Sequence, residues 1–231
     1  INAVHPLDGK GVVRLRSLVA NAVAGANCPA PRTYFAHYYK RYLQFMDEPA
    51  ITSNDIVMLG NSLTEGGGDW GKRLGKDNII NRGISGDVAM GIYDRLHQIL
   101  PGKPKQIFLL IGVNDISHDL STDSIVNMIE KNVTRIQRES PETKLYLQSL
   151  LPIDESFNRY KKLTNKTYQI PEINDRLKAL AKEKKIDFID LYPLFTEKGT
   201  NVLRKELTYD GLHLKEEGYK IWVDAIKKKM K

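Results

Sequence analysis

Five short apolar runs alternate with helical patterns along most of this chain, and that alternation restricts its fold more than any other feature. The runs fall at 55–59, 78–81, 106–111, 144–150 and 186–189. The first three are apolar without alternation, as strands covered on both faces are. The last two are more mixed, with Gln148, Ser149 and Asp187. Between them Val88, Ile92, Leu96 and Ile99 recur at 3.6-residue spacing, with Asp87 placed as a cap. Ile125, Ile129, Val133 and Ile136 repeat the pattern behind Ser121 or Thr122. Ile173, Leu177 and Leu180 mark a further helix, and 214–230 the last. A β-α order of this kind predicts an α/β fold, with a five-stranded, mainly parallel sheet and helices on both faces.

The chain has 231 residues, a length that an α/β fold usually builds around one core. Residues 1–32, with Pro6, Pro29 and Pro31, read as an irregular arm. From Thr33 to Asp47, the side chains of Phe35, Tyr38, Tyr39, Tyr42, Leu43 and Met46 follow helical spacing. The expected organisation is therefore an N-terminal arm and helix over 1–50, packed on a catalytic domain over 51–231. Residues 14–26 have a basic start and an apolar centre, but Asn21 interrupts that centre and a long, mostly non-basic stretch precedes it, so a signal peptide is not expected. No apolar run approaches the roughly 18 to 20 residues of a membrane span. The 35 Lys+Arg exceed the 28 Asp+Glu by seven, yet the lysines gather at predicted helix ends, where they suit the helix dipole. No aromatic–basic alternation accompanies them, so a nucleic-acid partner is not expected. The single cysteine excludes an internal disulfide and a thiolate metal cluster.

In parallel sheets of this class, chemistry gathers on the loops at the carboxyl ends of the strands. The first strand is followed by Gly60-Asn61-Ser62-Leu63-Thr64-Glu65, the second by Arg82-Gly83-Ile84-Ser85-Gly86-Asp87, and the third by Gly112-Val113-Asn114-Asp115. Asp210-Gly211-Leu212-His213 stands just before the last helix. Each piece alone is ordinary turn chemistry. Together they supply what acyl transfer needs: a hydroxyl, a base, a carboxylate to orient the base, and donors for an oxyanion. Ser62 is then the nucleophile and His213 the base. Asp210, three residues before His213, can reach its Nδ1–H. The N–H of Ser62, the N–H of Gly86 and the amide of Asn114 are the oxyanion donors.

The same residues resemble the sequence blocks of the SGNH/GDSL hydrolases: Gly60-Asn61-Ser62-Leu63, the Gly86 loop, Gly112-x-Asn114-Asp115 and Asp210-x-x-His213, in order, over about residues 54–226. The resemblance implies a flavodoxin-like three-layer αβα sandwich and a serine esterase without metal or cofactor. It also assigns the same roles to Ser62, Gly86, Asn114, Asp210 and His213. Gly83 competes with Gly86 for the second block; Gly86 is preferred because the family's oxyanion glycine directly precedes the Asp that opens the helix. Asn61 stands where the family motif has Asp, a position outside the triad. The text of 81–87 and 111–115 looks like the acetylhydrolase branch, which includes platelet-activating-factor acetylhydrolases and sialate O-acetylesterase-like proteins, and so implies a short acyl group such as acetyl.

Two other chemistries fail on spacing. Gly66-x-x-x-x-Gly71-Lys72 approximates a phosphate-binding loop, but Arg73 replaces the Ser or Thr that holds Mg²⁺ and the segment starts too far past the strand. His37, His97 and His118 are isolated, without ligand spacing. Two readings stay open beside the acetylesterase: a thioesterase or lysophospholipase acting on longer chains, and an inactive carbohydrate-binding module. For the substrate, Arg82, Trp70 and Tyr160 are candidate contacts, and the loop 151–165, with Phe157, Arg159, Lys161 and Lys162, borders the site. Those cations suit an acidic sugar ester. Trp70 and the segment 191–195 are candidates for an acyl pocket. A glycan ester points to a periplasmic or secreted enzyme, with a cytoplasmic one as the alternative. Oligomeric state is not legible.

Overall fold

The five apolar runs form one sheet. The computed structural model describes residues 33–230, so the arm over 1–32 and the stretch 14–26 lie outside the described residues. Ala36–Lys231 make one compact unit. Its strands are β1 (Ile56–Gly60), β2 (Ile79–Gly83), β3 (Gln106–Leu110), β4 (Lys144–Gln148) and β5 (Asp187–Ile189). All pair in parallel, in the order β2-β1-β3-β4-β5. That is the flavodoxin-like order, which reverses direction between β1 and β3. The two strands at that reversal are buried along their whole length.

Side chains alternate across the sheet, so each central strand feeds two cores. Val57, Leu59, Ile107, Leu109, Leu145 and Leu147 face one layer. That layer is built by α4 (Ala89–Arg95), α6 (Thr122–Glu139) and α7 (Gln169–Glu183). Ile56, Met58, Phe108, Leu110 and Tyr146 face the other, formed by α3 (Trp70–Leu74) and α8 (Glu216–Lys227). Three layers result, as the SGNH hydrolase fold requires. The polar residues that made the fourth run look mixed have fixed partners. Gln148 accepts from Trp222 Nε1 at 2.7 Å, and Ser149 Oγ accepts from Leu191 N and Tyr192 N.

Ser121 caps α6, accepting from Ser124 N. Asp87 does not cap α4. Val88 is the N-cap and makes no side-chain bond, while the buried Asp87 carboxylate pairs with Arg95 at 2.9 Å. The helix start is faced instead by Asp115, whose two oxygens each lie 3.1 Å from Ala89 N. The helix α1 (Ala36–Asp47) also departs from its expected face. Tyr38 and Phe45 are its buried residues, and Met46 is exposed. Phe45 is drawn in by cations: the guanidinium groups of Arg82 and Arg41 lie 4.5 and 4.6 Å from its ring. Among the described residues no helix is long and apolar enough to cross a membrane.

Candidate active site

Strand β1 ends at Gly60, between Gly83 of β2 and Leu110 of β3. The next residue, Asn61, is fully buried and turns the chain into a helix at once, its Oδ1 accepting from Leu63 N at 3.0 Å. Ser62 is therefore the first residue of the short helix α2 (Ser62–Gly66), and its N–H is among the donors that a helix start leaves unpaired. Asn at 61 thus does the capping work that either Asx residue can do. Beyond Ser62, Glu65 accepts from Ser85 N and Oγ and from His37 Nε2, which ties α2 to the β2–α4 loop and to α1. Burial opposes ionisation of Glu65, but these donors together hold its carboxyl below the usual range.

The second part of the site is a turn held by its own side chains. Thr208 Oγ1 accepts from Gly211 N at 2.9 Å and donates to His213 O at 2.7 Å. Asp210 Oδ1 accepts from Leu212 N and His213 N at 3.0 and 2.7 Å. Gly211 has φ +89°, and a Cβ there would lie 2.3 Å from Asp154 O, so a larger residue fails on both counts. The turn places His213 Nδ1 2.8 Å from Asp210 Oδ2 and His213 Nε2 2.9 Å from Ser62 Oγ. Hydroxyl, imidazole and carboxylate are in hydrogen-bond reach in sequence, although 151 residues separate the first two.

The loops after β2 and β3 supply donors. Gly83 N already donates to Asn81 Oδ1 at 2.9 Å. Gly86 sits at φ +82° in the turn before Asp87, and among the described residues nothing accepts from its N–H. Between the two competing glycines, only Gly86 has a donor to spare. Asn114 opens off α5 (Val113–Ser117) and is anchored by one amide proton, given to Asp87 O at 2.8 Å. Its second amide proton is left for another acceptor.

Electrostatics keep Asp210 anionic. Burial works against its charge, but the Tyr160 hydroxyl, the His213 ring and the His213 and Leu212 N–H groups hold the carboxyl below its usual range. Behind Asn114, burial pushes Asp115 up to about 7. It pushes Asp87 up to about 6, with the Arg95 guanidinium pulling the other way.

Two expected substrate contacts are not brought here. Arg82 is buried, pairs with Glu48 and lies over Phe45. Trp70 is a core residue, its Nε1 donating to Thr64 O and its ring edge-on to Trp222. Leu191 and Phe195 are likewise fully buried in that layer, whereas Leu194 of the same segment is exposed. Tyr160 does reach the site, but its hydroxyl goes to Asp210 Oδ2 at 2.6 Å and His213 Nδ1 at 2.9 Å. Sequence reasoning missed two neighbours. Thr208 braces the turn, and Tyr209, largely exposed, stacks on the His213 ring. Only their nearness to Asp210 in the chain marks them. Among the described residues no group of His, Cys, Asp and Glu could hold a metal ion.

The profile of the GDSL-like Lipase/Acylhydrolase family matches residues 58–221. A Bacteroides thetaiotaomicron protein solved as a GDSL-like lipase is similar at 25% identity and TM-score 0.74, covering 85% of this chain and 98% of that one. A Streptococcus pneumonia structure described in connection with platelet activating factor has the same fold at 24% identity and TM-score 0.76, covering 97% of this chain and 100% of that one. The N-acylneuraminate cytidylyltransferase of Escherichia coli O18:K1:H7 is 25% identical over 177 residues. That match takes in 75% of this chain but spans only 39% of the length of the relative.

Proposed function

We propose, from the premise that this chain belongs to the GDSL-like lipase/acylhydrolase family and is an ester hydrolase, that it removes short acyl groups, acetyl above all, through a Ser62 acyl-enzyme. One observation carries the reading: the unbroken hydrogen-bonded chain from Ser62 Oγ through His213 to Asp210, at 2.9 and 2.8 Å. Ser62 Oγ attacks the ester carbonyl as His213 Nε2 takes its proton. Asp210, kept ionised, stabilises the imidazolium and holds the ring. The carbonyl oxygen becomes an oxyanion and accepts from Ser62 N, Gly86 N and the free proton of Asn114 Nδ2. Collapse breaks the ester C–O bond, and His213 returns the proton to the departing alcohol. Water then repeats the sequence against the acyl-serine, with His213 as base, and frees the acid and Ser62.

Acetyl is favoured because the text of 81–87 and 111–115 resembles the acetylhydrolase branch. An O-acetylated acidic sugar, of the N-acylneuraminate kind named for the cytidylyltransferase relative, agrees with the exposed Arg159, Lys161 and Lys162 on the segment that carries Tyr160. A fluorophosphonate probe tests the nucleophile: it labels Ser62, and labelling is lost in Ser62→Ala. Acetyl, butyryl and octanoyl nitrophenyl esters test acyl length, with kcat/KM falling in that order. O-acetylated sialic acid against a neutral acetylated sugar tests the alcohol side. Equal rates on the two would end the acidic-sugar reading and leave the esterase standing.

A further inference from the structure

Three atoms at the back of the imidazole form a closed triangle. Tyr160 Oη is 2.6 Å from Asp210 Oδ2 and 2.9 Å from His213 Nδ1, and those two atoms are 2.8 Å from each other. Three positions within hydrogen-bond distance admit few proton arrangements. A tyrosine has one proton to donate, and an ionised carboxylate has none. Asp210 Oδ1 is already taken by the N–H groups of Leu212 and His213.

The Tyr160 proton goes to Asp210, because a bond to a charged acceptor is the stronger and that contact is the shorter. Tyr160 then faces His213 Nδ1 with a lone pair. Nδ1 has an acceptor on both sides, Oδ2 and Oη, and must itself carry the proton. Nε2 is left bare towards Ser62 Oγ, the state in which it can take a proton. In the opposite arrangement Tyr160 would donate to a bare Nδ1, give up the charged acceptor and turn an N–H towards Ser62.

We infer that Tyr160 is a positioning residue of the His213–Asp210 pair: its hydroxyl locks the Nδ1–H tautomer and shares the Asp210 charge, rather than binding substrate. The inference rests on the triad reading above. The groups facing the imidazole are few. Ser62 comes from α2, Asp210 and the stacked Tyr209 from its own turn, and Tyr160 from the 151–165 segment. Burial and the Asp210 charge hold the Tyr160 and Tyr209 phenols above their ordinary range, with Arg159 pulling the other way. With its lone pair Tyr160 gives Nδ1–H, and still more an imidazolium, a second acceptor beside Asp210 Oδ2, so removing the hydroxyl leaves the imidazolium less stabilised.

Tyr160→Phe removes only the hydroxyl. Expected are a fall in kcat of about tenfold, the worth of one hydrogen bond, and a KM within about twofold. The acid limb of the kcat/KM profile moves to lower pH by about half a unit or more, because the charged ring has lost an acceptor. ¹⁵N spectra of the His213 ring above its titration show Nδ1–H alone in the unaltered protein and gain an Nε2–H fraction in the variant. The spectrum of the unaltered protein needs no variant to fold, and a dominant Nε2–H tautomer there overturns the inference. So does a variant in which KM alone changes while the pH profile and the tautomer stay put, since that is the behaviour of a pocket wall. Ser62→Ala separates the two readings. If it keeps its activity, the esterase mechanism fails, whereas the ring spectra still judge Tyr160.

Discussion

The proposed nucleophile and its proposed base are held in place by different means. Ser62 and the proposed oxyanion donors Gly86 and Asn114 stand just past the ends of β1, β2 and β3, where main-chain pairing and two hydrophobic layers fix the backbone. Asp210 and His213 stand on a turn more than twenty residues past β5, fixed by side chains that bond the backbone: Thr208, Asp210 itself, and the main chain of Asp154, which donates to Gly211 O at 2.9 Å. The first half shares the stability of the core. The second depends on a few polar contacts, each worth about 1 kcal/mol. Small changes should therefore be tolerated around Ser62 and felt around His213.

Removing the reacting groups themselves has the largest effect and does not discriminate. Ser62→Ala and His213→Ala each lower kcat by about 10⁴- to 10⁶-fold, measured on a nitrophenyl acetate with folding checked by circular dichroism. Next, Asn114→Ala costs about 10²- to 10³-fold in kcat, as one oxyanion donor does. Its melting temperature shifts little if the sheet-end half is as firm as described. Thr208→Val tests the other half. It strips the hydroxyl that ties Asp210, Gly211 and His213, so kcat falls by about tenfold and stability by about 1 kcal/mol. Unchanged kcat would show that the turn is not the weaker half. The smallest effect on rate belongs to Asp115→Asn, since the amide oxygen still accepts from Ala89 N. This substitution changes the pH dependence of stability instead. Burial raises the folded carboxyl to about 7 from about 3.9 when unfolded. The stability this group contributes is therefore complete below about pH 4 and is lost as pH rises through 7. Denaturant titrations should show a falling component from pH 4 to pH 7 in the unaltered protein and a smaller one in Asp115→Asn, where Asp87, raised by burial to about 6, still contributes.

The strands were legible because their information is local: largely apolar runs of four to seven residues with helical periods between them. So were the loops that converge, since glycine, serine, asparagine and histidine stand out after strands. What escaped was pairing between distant pieces. Arg82 reads as an exposed cation until Glu48 and Phe45, more than thirty residues earlier, enclose it. Asp87 reads as a cap because its tie to Arg95, eight residues on, is invisible in a pattern of apolar spacing. Trp70 reads as pocket material until the last helix brings Trp222 against it. Tyr160 is fifty residues from Asp210, and no local signal distinguishes a tyrosine that braces a histidine from one that touches a ligand.

Because 150 positions lie between Ser62 and His213, a ribosome finishes the proposed nucleophile long before it makes the proposed base. On the proposed mechanism a chain with only its first three strands complete carries an inert serine, and hydrolysis needs the closing turn in place. On the same mechanism, a nick that frees this late segment silences the serine without touching it.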